Sequence, residues 1–280
     1  MRSQADKAAA FHALHERAGA FIIPNPWDAG TARLLAALGF EALATTSAGH
    51  AFTLGRSDGA LNVSRDETLA NAKAIVEATA LPVSADLENG FGDAPEAAAE
   101  TIRQAAAVGL VGGSIEDATG ESKNPIYDFD LAVARVRAAA DLAHALPVPF
   151  LLTARAENLL HGRNDMADTI RRLQAYAAAG ADVLYAPGLR NVAEVRQVVD
   201  AVNRPVNVVT GWLDPAITAA ELTEAGAKRI SVGGALSRLA LAAFVKGARA
   251  MKEQGSFAWM GDMMGIAEVR RMFGAGATPE

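Results

Sequence analysis

The chain of 280 residues contains no cysteine. That single absence excludes disulfides, thiolate metal sites and a cysteine nucleophile, and it agrees with a cytoplasmic setting. Excess positive charge is missing too. The net charge is −6 and the isoelectric point is near 5.5, so there is no basic patch to neutralise phosphates, and a nucleic-acid partner is not expected. No uncharged apolar run reaches the ~18 residues a membrane span needs. The N-terminus, "MRSQADKAAAFHALHERAGA", alternates charge with alanine where a secretory signal would carry an apolar stretch and a cleavage site. Polar low-complexity tracts are absent as well, which confines expected disorder to the chain ends. The partner implied by this composition is a small molecule.

What is present is a regular alternation. Hydrophobic residues make up 51% and charged residues 21% of the chain, enough to bury one large core. Apolar runs of strand length begin at Ala20 ("AFIIP"), Phe40 ("FEALATT"), Pro82 ("PVSADL"), Val111 ("VGGSIE"), Pro149 ("PFLLTA"), Asp182 ("DVLYA"), Pro205 ("PVNVVT") and Arg229 ("RISVG"). Between them lie alanine-rich segments with helical spacing, such as "SRDETLANAKAIVEATA" and "DMADTIRRLQAYAAAG". The second, fourth, sixth and eighth runs follow Gly39, Gly109, Gly180 and Gly226, residues suited to end a helix in the left-handed conformation. The third, fifth and seventh follow Pro82, Pro149 and Pro205. Runs apolar on both faces imply parallel strands covered on both sides. Eight of them with eight helices predict an α/β chain closed as a (β/α)8 TIM barrel, with an open doubly wound sheet as the alternative. An N-terminal helix precedes the barrel. The barrel domain is expected to span 1–254 and a C-terminal helical tail 255–280.

In such a barrel the chemistry sits at the C-terminal ends of the strands. Collecting the polar residues there gives Ser47 and His50 after the second run, Asp58 in the next loop, Asp86 and Glu88 after the third, Glu116 and Asp117 after the fourth, and Arg155 and Glu157 after the fifth. Acids at this density repel one another unless a cation sits among them, and an all-oxygen set without cysteine points to Mg²⁺ or Mn²⁺. Arg155 either neutralises its acidic neighbours or offers a fork to a substrate carboxylate. Asp117 and Asp93, each taken alone, read as helix N-caps. His50 reads equally as a packing and as an active residue; His12, His15, His144 and His161 have no constellation around them. "SVGGALSR" after the eighth run is a weak phosphate-site signal.

The stretch "PVSADLENGFGD", an acid, any residue, an acid and then Gly-Phe-Gly, resembles the strand-three signature of the isocitrate lyase/phosphoenolpyruvate mutase superfamily. The resemblance runs from "IIPNPWDAGTARLLAALGFEALATTSAG" to "SVGGALSR", most of the chain. It implies that Asp86, Glu88, Glu116 and Asp58 hold Mg²⁺, that Arg155 takes a substrate carboxylate, and that Ser47 lies beside a 2-oxo acid. Ala48, Gly49 and Asn207 complete the expected substrate-binding set, and Lys123 and Asn124 of "DATGESKNPIYDFD" are similar to the gating-loop pair of phosphonopyruvate-handling members. Two departures stand out: Glu88 where the family usually has aspartate, and Ala48 where it has glycine. The isocitrate and methylisocitrate lyase branches carry a "KKCGH"-type loop, which is absent, so those two activities by the usual route are disfavoured. The resemblance therefore implies a Mg²⁺-dependent lyase cleaving a C–C or C–P bond of a small 2-oxo or 2-hydroxy di- or tricarboxylate through an enolate. A mutase or hydrolase of the phosphonopyruvate type and a non-catalytic 2-oxo acid binding protein are the alternatives. An aldolase or isomerase using "VGGALSR" for phosphate would need a strand-end lysine, and no strand end supplies one.

The tail adds an expectation about assembly. Phe257, Trp259, Met260, Met263, Met264, Ile266, Val269, Met272 and Phe273 are too many large apolar groups for a solvated appendage. They read either as a segment folded back on its own barrel or as a contact with another subunit. The family resemblance favours the second, a homo-oligomer built as a dimer of dimers.

Overall fold

The computed structural model describes residues 2–59 and 61–274. Helix α1 (Gln4–Glu16) opens with a capping box in which Ser3 and Asp6 satisfy each other's backbone N–H groups. The first βα unit is β1 (Phe21–Ile23) and α2 (Ala29–Ala37). Next, β2 (Leu43–Ala44) leads into a short α3 (Ser47–Thr53) and the covering helix α4 (Arg65–Ala78). The unit repeats in β3 (Val83–Asp86) with α5 (Pro95–Ala107), and in β4 (Gly112–Glu116) with α6 (Phe129–Ala145). It continues in β5 (Leu151–Arg155) with α7 (Met166–Ala178), and in β6 (Val183–Tyr185) with α8 (Val192–Ala201). Finally come β7 (Val206–Val209) with α9 (Ala219–Glu224), β8 (Arg229–Ser231) with α10 (Ala235–Gln254), a 3-10 turn at Ala258–Asp262 and α11 (Ile266–Gly274).

All eight strands stand where the apolar runs put them, and every ladder is parallel, in the order β2-β3-β4-β5-β6-β7-β8-β1. The seam between β1 and β2 is spanned by the Ala44 N–H, which donates to the Pro24 carbonyl at 3.1 Å. The sheet is thus a nearly closed barrel, and the doubly wound alternative falls away. Gly39, Gly109, Gly180 and Gly226 all have positive φ, between +87° and +108°, as the helix-ending role requires.

Helix α1 plugs the N-terminal end of the barrel. Phe11 and Leu14 pack on Phe21, Ile23, Val111 and Leu151. The Lys7 ammonium donates to the carbonyls of Val76 and Thr79 at 3.1 and 2.9 Å, where α4 ends. The paired glycines of β4 are a packing requirement. A Cβ at Gly112 would lie 2.9 Å from the Phe11 ring, and one at Gly113 would lie 2.7 Å from Leu87.

The expected boundary at 254 falls on the last residue of α10. A covering helix should bury one face, yet of the 20 residues of α10 just Ser237 and Gly247 are buried. Leu239 is 67% and Phe244 73% exposed. Helix α10 therefore projects from the barrel as an arm, and the tail belongs with it: the Trp259 ring lies against Gly247, and the Phe273 ring returns to Gly30 at the start of α2. The physical cause is the sequence itself, which gives α10 apolar side chains that no described residue of this chain covers. Residues 275–280 of the expected tail lie outside the described residues. Among the described residues no helix is long and apolar enough to cross a membrane.

The plug carries a titratable group. His15 sits edge-on to Phe11 and Phe21, with ring centroids 4.7 and 5.0 Å away, and its Nδ1 meets the Phe11 carbonyl at 2.8 Å. Burial, then the nearby Arg229 cation, pushes its pKa down to about 3. A folded-state value below the ordinary ~6.5 means that the unfolded chain takes up the proton first. The contribution of neutral His15 is therefore complete above pH ~6.5 and is lost as pH falls toward 3, at up to about 1.4 kcal/mol per pH unit. Urea unfolding of the wild type and of His15→Leu between pH 7 and 5 should give stabilities whose difference changes with that slope. Parallel pH curves would remove His15 as the acid-sensitive group.

Candidate active site

Three adjacent strands end on charge. Asp86, Glu116 and Arg155 are the last residues of β3, β4 and β5, and Glu116 pairs with Arg155 in the ladder, so both side chains share the inner face. The Arg155 guanidinium meets Asp86 Oδ1 at 3.0 Å, Glu116 Oε2 at 3.1 Å and Glu157 Oε1 at 2.8 Å, and it lies over the Tyr185 ring, 4.9 Å from its centroid. Burial works against its charge, but Glu157, Glu116 and Asp86 outweigh it and hold the guanidinium protonated. Burial pushes the carboxyls of Glu116 and Glu157 up, with Arg155 opposing.

The second acid of the "DLENGFGD" stretch reaches the site by a strained turn. Glu88 has φ +47° and Phe91 φ +59°, conformations that L residues adopt at a cost of order 1–2 kcal/mol. The turn is held by the Glu116 N–H, which donates to the Glu88 carbonyl at 2.9 Å. The result is a Glu88 carboxyl that is 8% exposed beside Asp86. Burial, then Asp86 and Asp58, push its pKa up to about 8. Asp58 is exposed on its loop yet faces Ser47 and Asp86; partial withdrawal from water and the Asp86 charge raise its carboxyl as well.

Asp58, Asp86, Glu88 and Glu116, the expected metal-site acids, lie around the same mouth. Among the described residues no group of three or more Asp, Glu or His side chains is arranged to hold a metal directly. The reason is Arg155, whose guanidinium stands between Asp86 and Glu116, while Asp86 Oδ2 accepts the Ser47 N–H and hydroxyl at 3.2 and 2.8 Å. The donor chemistry still suits a hard cation. Five carboxylates, those of Asp58, Asp86, Glu88, Glu116 and Glu157, face one arginine, and Mg²⁺ characteristically takes one or two carboxylates and keeps several waters.

Around this cluster the other expected residues divide. Ser47 and Ala48 open α3, where the Thr46 hydroxyl caps the Gly49 N–H at 3.3 Å. No side chain fits at Gly49, because a Cβ there would sit 2.7 Å from both Thr46 and Trp27. His50 faces Asn71 through Nδ1 and lines a narrow pocket with Ser47, Asp86 and Glu88. Asn207 lies lower, inside a cavity of about 50 Å³ whose walls include Asp86 and Arg155. Lys123 and Asn124 are not brought to the site: both are exposed on a loop tied by the Thr119 N–H to the Pro125 carbonyl at 2.9 Å. The Thr119 hydroxyl also donates to the Asn124 carbonyl at 2.5 Å, so the loop's hydrogen bonds are local.

Two further readings change. Two of the "SVGG" amides are already used, since Val232 and Gly233 N–H donate to Asn25 Oδ1 at 3.0 and 2.9 Å. They are not free for phosphate. Asp117 is no helix cap. It is 3% exposed and accepts from the Tyr176 hydroxyl at 2.6 Å, from Arg172 at 3.0 Å and from the Glu157 N–H at 2.8 Å. Asp93 likewise caps nothing and accepts from the Tyr127 hydroxyl at 2.5 Å. Residues that sequence reading passed over are Asn25, Tyr185 and Arg229, all facing the cavity. Asn25 and Tyr185 follow or end apolar runs, a signal that was available. Arg229 begins one, where a charge reads as a strand edge.

An eight-stranded parallel barrel with an acid-rich C-terminal mouth defines a class of barrel proteins, and comparison narrows it. The family model for phosphoenolpyruvate phosphomutase matches residues 11–252. The chain belongs to that family, within the isocitrate lyase/phosphoenolpyruvate mutase superfamily. It is similar to a crystal structure from Burkholderia cenocepacia J2315, provisionally named a lyase/mutase, at 57% identity and TM-score 0.94, with 99% of this chain and 98% of the other covered. It is 27% identical to 2,3-dimethylmalate lyase of Eubacterium barkeri over 90% of this chain and 91% of the relative. It is also similar to oxaloacetate acetylhydrolase in complex with its product oxalate, at 26% identity and TM-score 0.85, covering 97% and 94% of the two chains.

The buried network behind the mouth gives a direct stability test. Asp117→Ala leaves Arg172 with Asp168 and the Tyr127 carbonyl but takes the acceptor from the Tyr176 hydroxyl and the Glu157 N–H in a dry environment, a loss of roughly 1–3 kcal/mol for each. Urea unfolding at pH 7 measures it; a loss below about 1 kcal/mol would mean that the network is solvated.

Proposed function

We propose that the protein is a Mg²⁺-dependent lyase that breaks a C–C bond next to C3 of a small 2-oxo or 2-hydroxy acid through an enolate. The observation that carries this reading is the surplus of carboxylates over the single arginine at the mouth, with the Ser47 N–H and hydroxyl locked onto Asp86. The names of the relatives, lyases and an acetylhydrolase of small acids, support it. Asp86 would hold the cation, with Glu88, Glu116 and Asp58 reaching it through water. When bound, Mg²⁺ supplies the positive charge that polarises the 2-oxo group.

The chain's own residues do the rest. Arg155 offers a planar fork to the substrate carboxylate, exchanging one of its three carboxylate partners for it. On binding, the Ser47 N–H and hydroxyl, which Asp86 now accepts, would turn to the oxygen on which charge gathers as Asp86 turns to the cation. For a 2-oxo acid, breaking the bond from C3 to the departing group moves its electron pair into the 2-oxo group and that group leaves without it; for a 2-hydroxy acid, the hydroxyl would give its proton to a carboxylate of the mouth and become the 2-oxo group, and the C2–C3 pair would leave with the C3 fragment as its enolate. Purified protein with Mg²⁺ and oxaloacetate, 2,3-dimethylmalate, methylisocitrate or phosphonopyruvate should release pyruvate, oxalate or phosphate from at least one of them. Asp86→Ala should lower that rate by on the order of a hundredfold or more with the fold intact, and Arg155→Lys should raise KM by about tenfold. No turnover on the whole panel would sink the proposal.

One observation favours a second reading, a non-catalytic 2-oxo acid binding protein: Lys123 and Asn124 are exposed and are not among the residues that line the cavity. Calorimetry decides between the two, because tight binding with no product after long incubation belongs to the binder alone.

The same reading includes assembly as a homo-oligomer, a dimer of dimers. Its support is the apolar arm, on which Leu239, Phe244 and, beyond it, Phe257 and Ile266 are exposed. Light scattering should report a mass several times that of one chain, and Phe244→Asp should reduce it. A monomeric wild type would end this part of the proposal.

A further inference from the structure

Eight-stranded barrels are ordinarily filled by layers of bulky branched side chains. In this one, a row of directly paired residues, Glu116, Arg155, Tyr185, Asn207 and Arg229, follows the ladder from β4 to β8, and paired residues share one face of a sheet. The row descends into the barrel. Arg155 and Tyr185 end their strands, whereas Asn207 and Arg229 stand two residues before the ends at Val209 and Ser231. Ser84, Ser114 and Ser231 line the same cavity of about 50 Å³, well above the roughly 10–15 Å³ that one water occupies. The interior is polar where it should be apolar.

At its floor lies a cation without a counter-charge. Arg229 is 5% exposed. Its Nε donates to Asn207 Oδ1 at 2.7 Å and Nη2 to the Thr153 hydroxyl at 3.0 Å, and both acceptors are neutral. Nη1 has no partner. Arg155 meets three carboxylates in the same cavity, but among the described residues none is within ion-pair distance of Arg229. Burial accordingly pushes its pKa down to about 10. An arginine that merely braced a barrel would be expected to come with an acid, because an unpaired buried charge is strongly unfavourable. One donor is also left over beside it: Asn207 Nδ2 donates to Ser231 Oγ at 3.1 Å, which leaves the Ser231 hydroxyl proton for another acceptor.

We propose that Arg229 and Ser231 form an interior anion site for a carboxylate, the second carboxylate of a dicarboxylic 2-oxo acid whose first is held at the mouth by Arg155. This rests on the function proposed above and narrows its substrate to dicarboxylates. The guanidinium supplies charge and a buried N–H without a partner, Ser231 supplies an O–H, and Asn207 and Thr153 fix the orientation of the arginine. A free acetate or chloride ion presents the same chemistry, and the test separates the two sources.

The test uses the full chain in chloride-free buffer, comparing wild type, Arg229→Met and Arg229→Lys. Calorimetry with Mg²⁺ and either oxaloacetate or pyruvate reads the substrate source; thermal melting with added acetate or chloride reads the free-ion source. Wild type should bind oxaloacetate at least about tenfold more tightly than pyruvate. Arg229→Met should erase that preference while leaving pyruvate affinity within about twofold, and its melting temperature without anions should not fall. A melting temperature that rises with acetate in wild type and not in Arg229→Met, with the oxaloacetate preference intact in both, identifies a free anion as the occupant of the site. Two results overturn the proposal. One is an Arg229→Met protein that keeps both the preference and the anion response. The other is an Arg229→Met protein that melts far below wild type, beside an Arg229→Lys protein that matches wild type and neither shows an anion response nor differs between the two acids. Failure of wild type to bind either 2-oxo acid would count against the proposed function instead, and the acetate response would still report on Arg229.

Discussion

The guanidinium of Arg155, enclosed by the carboxylates of Asp86, Glu116 and Glu157, is the contact on which the mouth of the barrel depends. Three acids brought together at the ends of neighbouring strands repel one another and resist dehydration, so without a cation they would take up protons. Arg155 opposes that tendency from the centre of the group. Its position follows from the ladder, because the residue paired with Glu116 is the last of β5 and faces the same way. Among the described residues Arg155 is the one cation within ion-pair distance of these acids, and the carboxylates left over, with Glu88 and Asp58, make the mouth a place for a hard cation and an acidic ligand rather than a closed ion-pair core. Asp86 is the pivot: one oxygen is held by Arg155 and the other by Ser47.

Strain and dryness are concentrated near that pivot. The left-handed turn at Glu88 returns its carboxyl toward Asp86, an unfavourable conformation supported by the hydrogen bond from β4. Directly behind, Asp117 ties β4 to α7 through Arg172 and Tyr176. Consecutive residues of one strand end therefore take opposite parts. Glu116 faces Arg155 among like charges, while Asp117 faces the helices and is fully partnered. This alternation is the ordinary period of a strand applied to two acids.

The barrel's two ends are treated differently. The N-terminal end is closed by an apolar plug, with Phe11 seated where Gly112 leaves room, and the contacts there are those of a normal core. Above the plug the lumen turns polar, with serines at inward positions and Arg229 among neutral acceptors. Outside, helix α10 carries apolar side chains away from the barrel instead of covering it.

The sequence by itself determined the eight strands and their order of succession, because each is a short apolar run bounded by a proline or by a helix-ending glycine, signals that act within a few residues. It also placed Asp86, Glu88, Glu116 and Arg155 at strand ends, since the end of an apolar run is a local feature. Only the tertiary structure decided what those groups meet. Arg155 and Asp86 are 69 positions apart and Arg229 and Thr153 are 76 apart; nothing local says that one arginine finds three acids and the other none. The same holds for Asp117, whose cap-like position concealed a turn toward Tyr176, and for Lys123 and Asn124, whose loop closes on itself. The departure of α10 from the barrel was hidden for a related reason. An amphipathic pattern states that a helix has an apolar face, but the surface that face meets is set by chain segments far away in sequence.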